Sequence, residues 1–272
     1  MAIKALCLAL TLACAVTSAP ESRIADGTPI TIEEFPYIVA LEYHFPASGI
    51  RVQRCVGSLI SSWHVLTSSF CYLGAVLSNM QVRAGSTNIM SGGTVVNIRD
   101  VIKHPDYQQS PRTADIAIAV LEAPLGISDT INVLFLPPQG THIPDGQSLK
   151  VVGWGFESMD GPQVETLQTI NLRKVVLDKC LADYADKDGV VIDDRVICAS
   201  EGGQISTCLG DHGAPMVINQ VVVGLASYFD ECNTDVYPNV FTRIDRFTDW
   251  ILEVSVAPYS NNTVVRTRPV AL

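Results

Sequence analysis

The chain has 272 residues, a hydrophobic fraction of 47%, a charged fraction of 17% and a formal net charge of −10. This length allows one large hydrophobic core or two modest ones. The negative balance and the absence of a long basic run exclude a nucleic-acid partner, because such a surface would repel the phosphate backbone.

The N-terminus carries the pattern of an export signal. Lys4 precedes an apolar segment over residues 5–16, and the small residues Thr17, Ser18 and Ala19 follow. The segment is too short to span a bilayer, so residues 1–19 are predicted to be a secretory signal peptide and no membrane partner is expected. The sequence therefore predicts a secreted, extracellular protein.

The body of the chain shows the period of β-structure. Short runs that alternate apolar and polar residues lie between clusters of Gly, Pro, Asn and Asp, as is typical of an all-β protein with many short strands. The clearest runs cover residues 37–43, 56–66, 94–102, 116–121, 149–154 and 220–228. Helices are expected over 177–185 and near the C-terminus from 245, where apolar residues recur at helical spacing. A Pro- and Gly-rich linker over 136–146 divides the chain into two β halves.

Cysteines supply a second indication of export. Of the eight cysteines, Cys7 and Cys14 lie in the signal peptide, which leaves six. Six cysteines in an exported chain favour three disulfides over free core thiols, although the count leaves the pairing open. The six are Cys55, Cys71, Cys180, Cys198, Cys208 and Cys232.

The last residues, 258–272, lack periodicity and are predicted to be a flexible tail. They contain a glycosylation sequon at Asn261.

The most informative stretch is the turn-rich sequence Thr-Cys-Leu-Gly-Asp-His-Gly-Ala-Pro-Met at residues 207–216. It resembles the Gly-Asp-Ser-Gly-Gly-Pro nucleophile loop of trypsin- and chymotrypsin-like serine proteases, with His212 in place of the serine. Further segments that resemble this family lie at residues 23–27, 55–60, 63–71, 113–117, 153–155, 227–228 and 247–251. The resemblance extends from residue 24 to about residue 256 and is similar to that shown by insect digestive trypsins.

The resemblance implies a chymotrypsin-like, all-β fold of two antiparallel six-stranded β-barrels with a C-terminal helix. A serine-protease-like domain over 24–257 would hold barrel one at about 24–135, barrel two at about 136–243 and the helix at about 245–255. It also implies the disulfides Cys55–Cys71, Cys180–Cys198 and Cys208–Cys232.

The resemblance further implies a zymogen-like cleavage. Residues 20–23 would be a short propeptide, and cleavage after Arg23 would release a new amino terminus at Ile24. In the family this terminus forms a buried salt bridge with the aspartate found here as Asp211. A buried aspartate is costly without a partner, which supports the same pairing here. The alternative is that Asp211 is present only because the fold needs it.

The positions that resemble the catalytic triad are occupied by Phe70, Asp115 and His212. The chemistry requires histidine as the base, aspartate to orient it and serine as the nucleophile. Phenylalanine has no nitrogen to accept a proton, and loss of a base or nucleophile in such a triad costs about a million-fold in turnover. No intact catalytic residue is therefore expected, and the chain is predicted to be a pseudo-protease and not an enzyme. Gly210 and His212 occupy the oxyanion-hole-like positions.

Other chemistries at the same place have weak support. Ser68 or Ser69 could be a relocated nucleophile, but core packing is the simpler interpretation. His212 with Asp115 and His64 could hold a metal ion, but no ligand spacing supports this. No metal and no cofactor are therefore predicted. Asp115 itself is expected to have a raised pKa, because it is desolvated and Phe70 cannot supply the usual cation.

The specificity pocket also departs from the family. Its floor would be Ser206, and its walls would include Ser227, Phe229 and Asn239. The family has glycine where Phe229 and Asn239 stand, so the pocket is predicted to be plugged. Loop insertions that turn these two side chains outward are the alternative.

These observations predict a secreted, catalytically inactive serine protease homologue that acts by binding, as a protease-cascade cofactor, an inhibitor decoy or a recognition protein. Its partners would be proteases or protease inhibitors, and the chain would be a monomer. An endopeptidase with rearranged or residual activity is one alternative, and a secreted structural or storage protein is another.

Overall fold

The structure, a computed structural model, describes residues 27–203, 205–232, 236–256 and 265–272. The predicted signal peptide, propeptide, cleavage junction and glycosylation sequon lie outside the described residues. The described elements are β1 (Thr28–Pro29), β2 (Ile38–Phe45), β3 (Ile50–Leu59), β4 (His64–Thr67), β5 (Met80–Ala84), β6 (Thr94–Lys103), β7 (Gln108–Gln109), β8 (Arg112–Thr113), β9 (Ala117–Leu121), β10 (Ser148–Gly153), β11 (Gln168–Lys174), α1 (Leu177–Asp183), β12 (Val196–Ser200), β13 (Pro215–Ile218), β14 (Val221–Tyr228), β15 (Asn239–Arg243) and α2 (Thr248–Val254).

The first barrel is a closed antiparallel sheet. Its strands follow the order β2-β3-β4-β9-β6-β5, and β5 pairs back onto β2. Val39, Leu41 and Val82 are among the side chains that fill it. The run predicted as one strand over 56–66 is two strands, since the chain turns at residues 60–63 between β3 and β4.

The second barrel has the order β11-β10-β13-β14-β15-β12, and the pairing of β11 with β12 closes it. The predicted fold of two six-stranded antiparallel barrels is therefore confirmed. The short strand β1 pairs with β11, where Thr28 lies opposite Thr169. The N-terminal residues therefore join the sheet of the second barrel, whereas the predicted boundaries placed residues 24–135 in the first.

The two barrels share one core. A single cluster of buried side chains includes Val56 and Ile116 from the first barrel and Trp154, Ala214 and Val223 from the second. The Val56 amide also donates a hydrogen bond of 2.9 Å to the carbonyl of His212. The line of contact between the barrels therefore runs past the loop at 207–213, which is bonded to the first barrel.

Three disulfides have the predicted pairing, Cys55–Cys71, Cys180–Cys198 and Cys208–Cys232. Both helices are shorter than predicted, and α2 begins after a 3-10 turn at Ile244–Arg246. In the described residues, no helix has the length and apolar character needed to cross a membrane.

The end of the tail differs from the prediction of a flexible segment. Leu136 donates a hydrogen bond to the carbonyl of Arg266 and accepts one from the amide of Arg268, at 3.0 and 2.8 Å. Val265 is buried, and the Asn219 side chain donates to the carbonyl of Ala271. Residues 265–272 are thus held against the linker between the barrels, a long-range pairing that local sequence does not reveal.

Candidate active and binding site

Glycine fixes the shape of the loop that carries His212. Gly210 and Gly213 have φ of +85° and +80°, a region that other residues rarely adopt. A Cβ at Gly213 would also collide with the carbonyl of Val56 and the hydroxyl of Thr67. The main chain therefore passes very close to the first barrel, and His212 is directed into the space between the barrels.

Asp115 lies at the base of this site and is fully hydrogen-bonded. It accepts bonds from the Ser68 hydroxyl at 2.7 Å, the Phe70 amide at 2.9 Å and the Ser227 hydroxyl at 2.8 Å. Burial raises the pKa of Asp115, while the positive charge of Arg112 and these hydrogen bonds oppose the rise. The carboxyl is thus locked in place.

The two serines considered as relocated nucleophiles are both inside the protein. Ser68 donates its hydroxyl to Asp115, and Ser69 donates to the carbonyl of Ile116 at 2.6 Å. Neither side chain is exposed. Packing and hydrogen bonding account for both residues.

Three rings occupy the centre of the site. The ring centroids of Phe70 and His212 are 4.6 Å apart, and those of His212 and Phe229 are 5.2 Å apart. Burial lowers the pKa of His212 to about 3, and the positive charges of Arg112 and Arg54 act in the same direction. The imidazole at 212 is therefore neutral at ordinary pH and packs at a tilt between two phenylalanines.

Arg112 is the residue of this site that the sequence analysis missed. Its guanidinium carbon lies 3.9 Å from the centroid of the Phe70 ring, and its Nη1 donates to the carbonyl of Ser227. Burial raises the pKa of Asp115 as predicted, and the charge of Arg112, which the prediction did not include, opposes the rise. The sequence shows an arginine three residues before Asp115 in a polar loop, but where the Arg112 side chain points depends on the tertiary fold.

The predicted pocket is filled from within. Asn239 is buried, and its Oδ1 accepts hydrogen bonds from the amide and hydroxyl of Thr207 at 2.6 and 2.9 Å. Ser206 is also buried, and Phe229 packs on His212. The alternative in which Asn239 and Phe229 turn outward therefore does not describe the structure.

Asp211 points away from the site into the second barrel. The Cys208 amide donates to its Oδ2 at 3.1 Å, whereas Oδ1 has no hydrogen-bond partner among the described residues. Burial raises the pKa of Asp211 to about 7. A Cβ at Gly153 or Gly155 would collide with this carboxylate, so both glycines are needed to accommodate it. The predicted partner, Ile24, lies outside the described residues.

The remaining predicted groups are placed as follows. The amides of Gly210 and His212, expected to resemble an oxyanion hole, take no part in the main-chain hydrogen bonds of the described residues. His64 is buried in β4, where its Nδ1 lies 2.7 Å from the Ser61 hydroxyl. In the part of the chain that the structure describes, no group of three or more His, Cys, Asp or Glu is placed to hold a metal ion.

Comparison with known proteins places these features in a family. The family model described as Trypsin matches residues 24–251. Trypsin 5G1 of Aedes aegypti is 34% identical over 86% of this chain and 85% of its own length. Alkaline trypsin C of Manduca sexta is 32% identical over 88% of this chain and 93% of its own. Trypsin CFT-1 of Choristoneura fumiferana is 32% identical over 92% of this chain and 97% of its own.

These relatives correct one prediction. Each is named a trypsin and matches nearly the whole chain, which contradicts the prediction that the chain is not an enzyme. With Phe70 and His212 at two triad-like positions, the site offers the neutral imidazole of His212 and the guanidinium of Arg112. The fold, the paired cysteines and the matched family model agree, and the chain belongs to the trypsin family of serine protease-like proteins.

Proposed function

We propose that this member of the trypsin family is secreted and that its site between the barrels binds a segment of a partner protein, either a protease or a protease inhibitor. Export is supported by the apolar N-terminal segment after Lys4 and by three disulfides, which persist in oxidising compartments.

The observation that carries the proposal is the combination of packed rings with an arginine. Phe229 and Tyr228 are half-buried and keep part of their surface accessible. Phe229 packs on His212, and the guanidinium of Arg112 lies 5.7 Å from the ring centroid of Tyr228. Aromatic and arginine side chains contribute most of the energy at the centre of protein interfaces. The site thus presents the side chains that most often anchor a protein partner.

The surroundings of the site reduce the entropic cost of binding. The disulfide Cys208–Cys232 joins the loop of His212 to the segment after Phe229. Asn239 ties β15 to Thr207 through two hydrogen bonds. A surface that is already ordered loses less conformational freedom when a partner docks, so more of the contact energy appears as affinity.

Surface plasmon resonance with the purified full chain tests this proposal. The analytes are protein inhibitors of trypsin and trypsin-like proteases. We expect specific binding to at least one of them, weakened about tenfold or more by Phe229→Ala, as is typical of a central aromatic anchor. The matched control is Phe135→Ala, which removes another half-buried phenylalanine outside the site. Absence of binding, or equal effects of the two substitutions, would contradict the proposal.

A serine-type endopeptidase with a rearranged site is the second candidate, and the names of the relatives favour it. His212 is neutral and keeps an unprotonated nitrogen in the site, although its lowered pKa makes that nitrogen a weak base. Hydrolysis of a broad peptide library by the wild type and by His212→Ala tests this candidate. Turnover that disappears on substitution supports it, and turnover that is absent or unchanged by the substitution argues against it.

A further inference from the structure

The first barrel contains a long stretch of chain whose charged side chains are all positive. Residues 43–99 contain four arginines and no Asp, Glu or Lys, although the net charge of the chain is −10. Among the described residues, Arg83 is the only one of the four in an ion pair, and its partner is Glu42. The other three arginines therefore keep their charge without a carboxylate partner there, on an otherwise acidic protein.

Exposed apolar side chains lie on the hairpin and on the loop that one of these arginines, Arg54, contacts. Phe45 and Ile50 lie directly opposite each other at the end of β2 and the start of β3, so their side chains share one face of the hairpin. They are 43% and 57% exposed, and Leu73, in the loop before β5, is 36% exposed. We call Tyr43, Phe45, Ile50, Arg54 and Leu73 the hairpin patch.

Arg54 is held between the two parts of the hairpin patch. Its guanidinium carbon lies 5.5 Å from the centroid of the Tyr43 ring, and this ring packs edge to face with Phe45 at a centroid distance of 4.8 Å. Nε donates to the carbonyl of Cys71 at 2.8 Å, and Nη2 donates to the carbonyl of Leu73 at 2.5 Å. These contacts fix the positive charge between the hairpin and the loop.

The free end of the Arg54 guanidinium is accessible. A guanidinium has five N–H donors, and the bonds to Cys71 and Leu73 use two of them. Nη1 has no hydrogen-bond partner among the described residues, yet it is not one of their buried unpaired atoms. Arg54 is half-buried as a whole, so an acceptor can reach Nη1 from solvent.

The hairpin patch adjoins the loop that carries His212. Gln53, which precedes Arg54, donates a hydrogen bond of 3.0 Å to the carbonyl of Gly210. The positive charge of Arg54 also lowers the pKa of His212. A partner that contacts the rings between the barrels is therefore close to the hairpin patch, although the two surfaces share no residue.

We propose that the hairpin patch is a docking surface for an acidic segment of a partner protein. An aromatic or aliphatic side chain of that segment packs against Phe45, Ile50 and Leu73, and an Asp or Glu beside it accepts a hydrogen bond from Nη1 of Arg54. Negative charge is favoured because Arg54 bonds only to carbonyl oxygens of its own chain, and hydrogen bonds between ionised groups are stronger than neutral ones. Aromatic and arginine side chains are also enriched at interface centres. The inference goes beyond the proposed function, since it needs no ligand at His212.

The test measures the fluorescence anisotropy of fluorescein-labelled octapeptide pools in the presence of the full chain. The pools have Glu-Phe-Glu, Gln-Phe-Gln or Glu-Ala-Glu at the centre, and their other positions are randomised without Asp or Glu. We expect the Glu-Phe-Glu pool to bind about tenfold or more tightly than the Gln-Phe-Gln pool, as for hydrogen bonds to a charged group. It should also bind about tenfold or more tightly than the Glu-Ala-Glu pool, as for an aromatic anchor.

Two variants, each with a matched control, assign this preference to the hairpin patch. Arg54→Gln should abolish the preference for Glu over Gln, whereas Arg99→Gln removes the same charge from an exposed position on β6 and should leave it unchanged. Ile50→Ser should weaken binding of the Glu-Phe-Glu pool about threefold or more, whereas Ile127→Ser, at a side chain that is 55% exposed in the loop after β9, should not. Because Ile50 is exposed, Ile50→Ser still tests the proposal if circular dichroism shows that Arg54→Gln does not fold.

The results for the hairpin patch do not depend on those for the site between the barrels. A preference for Glu that survives in Arg54→Gln, or that Arg99→Gln removes as well, overturns the inference, and so does failure of every pool to bind the wild type. Binding to phosphatidylserine vesicles that Ile50→Ser abolishes, without binding of any pool, would identify the patch as a membrane contact and would also overturn it. Phe229→Ala should leave pool binding unchanged, so the inference and the proposed function can fail independently.

Discussion

The carboxyl of Asp211 should make the stability of the uncut chain depend on pH. It is 2% exposed, and its Oδ1 has no partner among the described residues. In the unfolded chain this group titrates near its ordinary value of 3.8, whereas burial raises the pKa to about 7 in the fold. Between these values the folded protein retains a proton that the unfolded chain has released.

Proton linkage gives the sign and size of the effect of Asp211 on the free energy of unfolding. Because the folded state binds more protons than the unfolded state between pH 4 and pH 7, stability falls as pH rises through this window and levels off above pH 7. At about 1.4 kcal/mol for each pH unit, the free energy of unfolding falls by about 4 kcal/mol across this window. His64 has the opposite effect, since burial lowers its pKa to about 4 and stability falls as pH drops below 6.5. A comparison with Asp211→Asn isolates the carboxyl.

The assay is urea unfolding of the wild type and Asp211→Asn at several pH values from 4 to 8. As pH rises through this range, the free energy of unfolding of the asparagine variant should increase by about 4 kcal/mol relative to that of the wild type, since its amide does not titrate. In a chain cut after Arg23, the new ammonium of Ile24 should pair with Asp211 and remove this gain. A stability difference between variant and wild type that does not change with pH in the uncut chain would show that Asp211 has no raised pKa in the fold.

Three further predictions concern the framework of the site. Gly213→Ala should cost about 1–3 kcal/mol more stability than Gly202→Ala, because both glycines have φ of +80° but only Gly213 meets neighbouring atoms; urea unfolding of the two variants compares them directly. Replacing both Cys208 and Cys232 by alanine should lower stability by about 3 kcal/mol and also weaken inhibitor binding, which calorimetry and plasmon resonance would measure. Deletion of residues 265–272 should lower the urea midpoint while leaving inhibitor affinity unchanged, because these residues bond to the interbarrel linker and not to the site; an unchanged midpoint would contradict this.

The strands were predictable because each has one face toward a barrel core and one toward solvent or a neighbouring element. The runs at 94–102 and 220–228 match β6 and β14 to within a residue. Closure of the second barrel was not predictable from local pattern, since it depends on the pairing of Arg173 with Ser200 across the chain. The closed barrels and the pairing of the cysteines were predicted from the resemblance to the family.

Some features of the site were predictable from local sequence and others were not. The positions of Asp115 and His212 followed from short motifs that fix the backbone. The contacts of Arg112 did not, because they depend on main-chain bonds to Gly189 and Val191 that join distant parts of the chain. The conclusion drawn from Phe70 and His212, that the chain is not an enzyme, went beyond what two replaced positions establish and is contradicted by the trypsin relatives.

Hydrogen exchange with mass spectrometry, with and without a bound protein inhibitor of trypsin, tests most directly whether the site between the barrels binds a partner. We expect slower exchange on binding in residues 108–113, 207–213 and 227–232, with residues 265–272 unchanged. Protection confined to other surfaces, or exchange that is the same with and without the inhibitor, would contradict it.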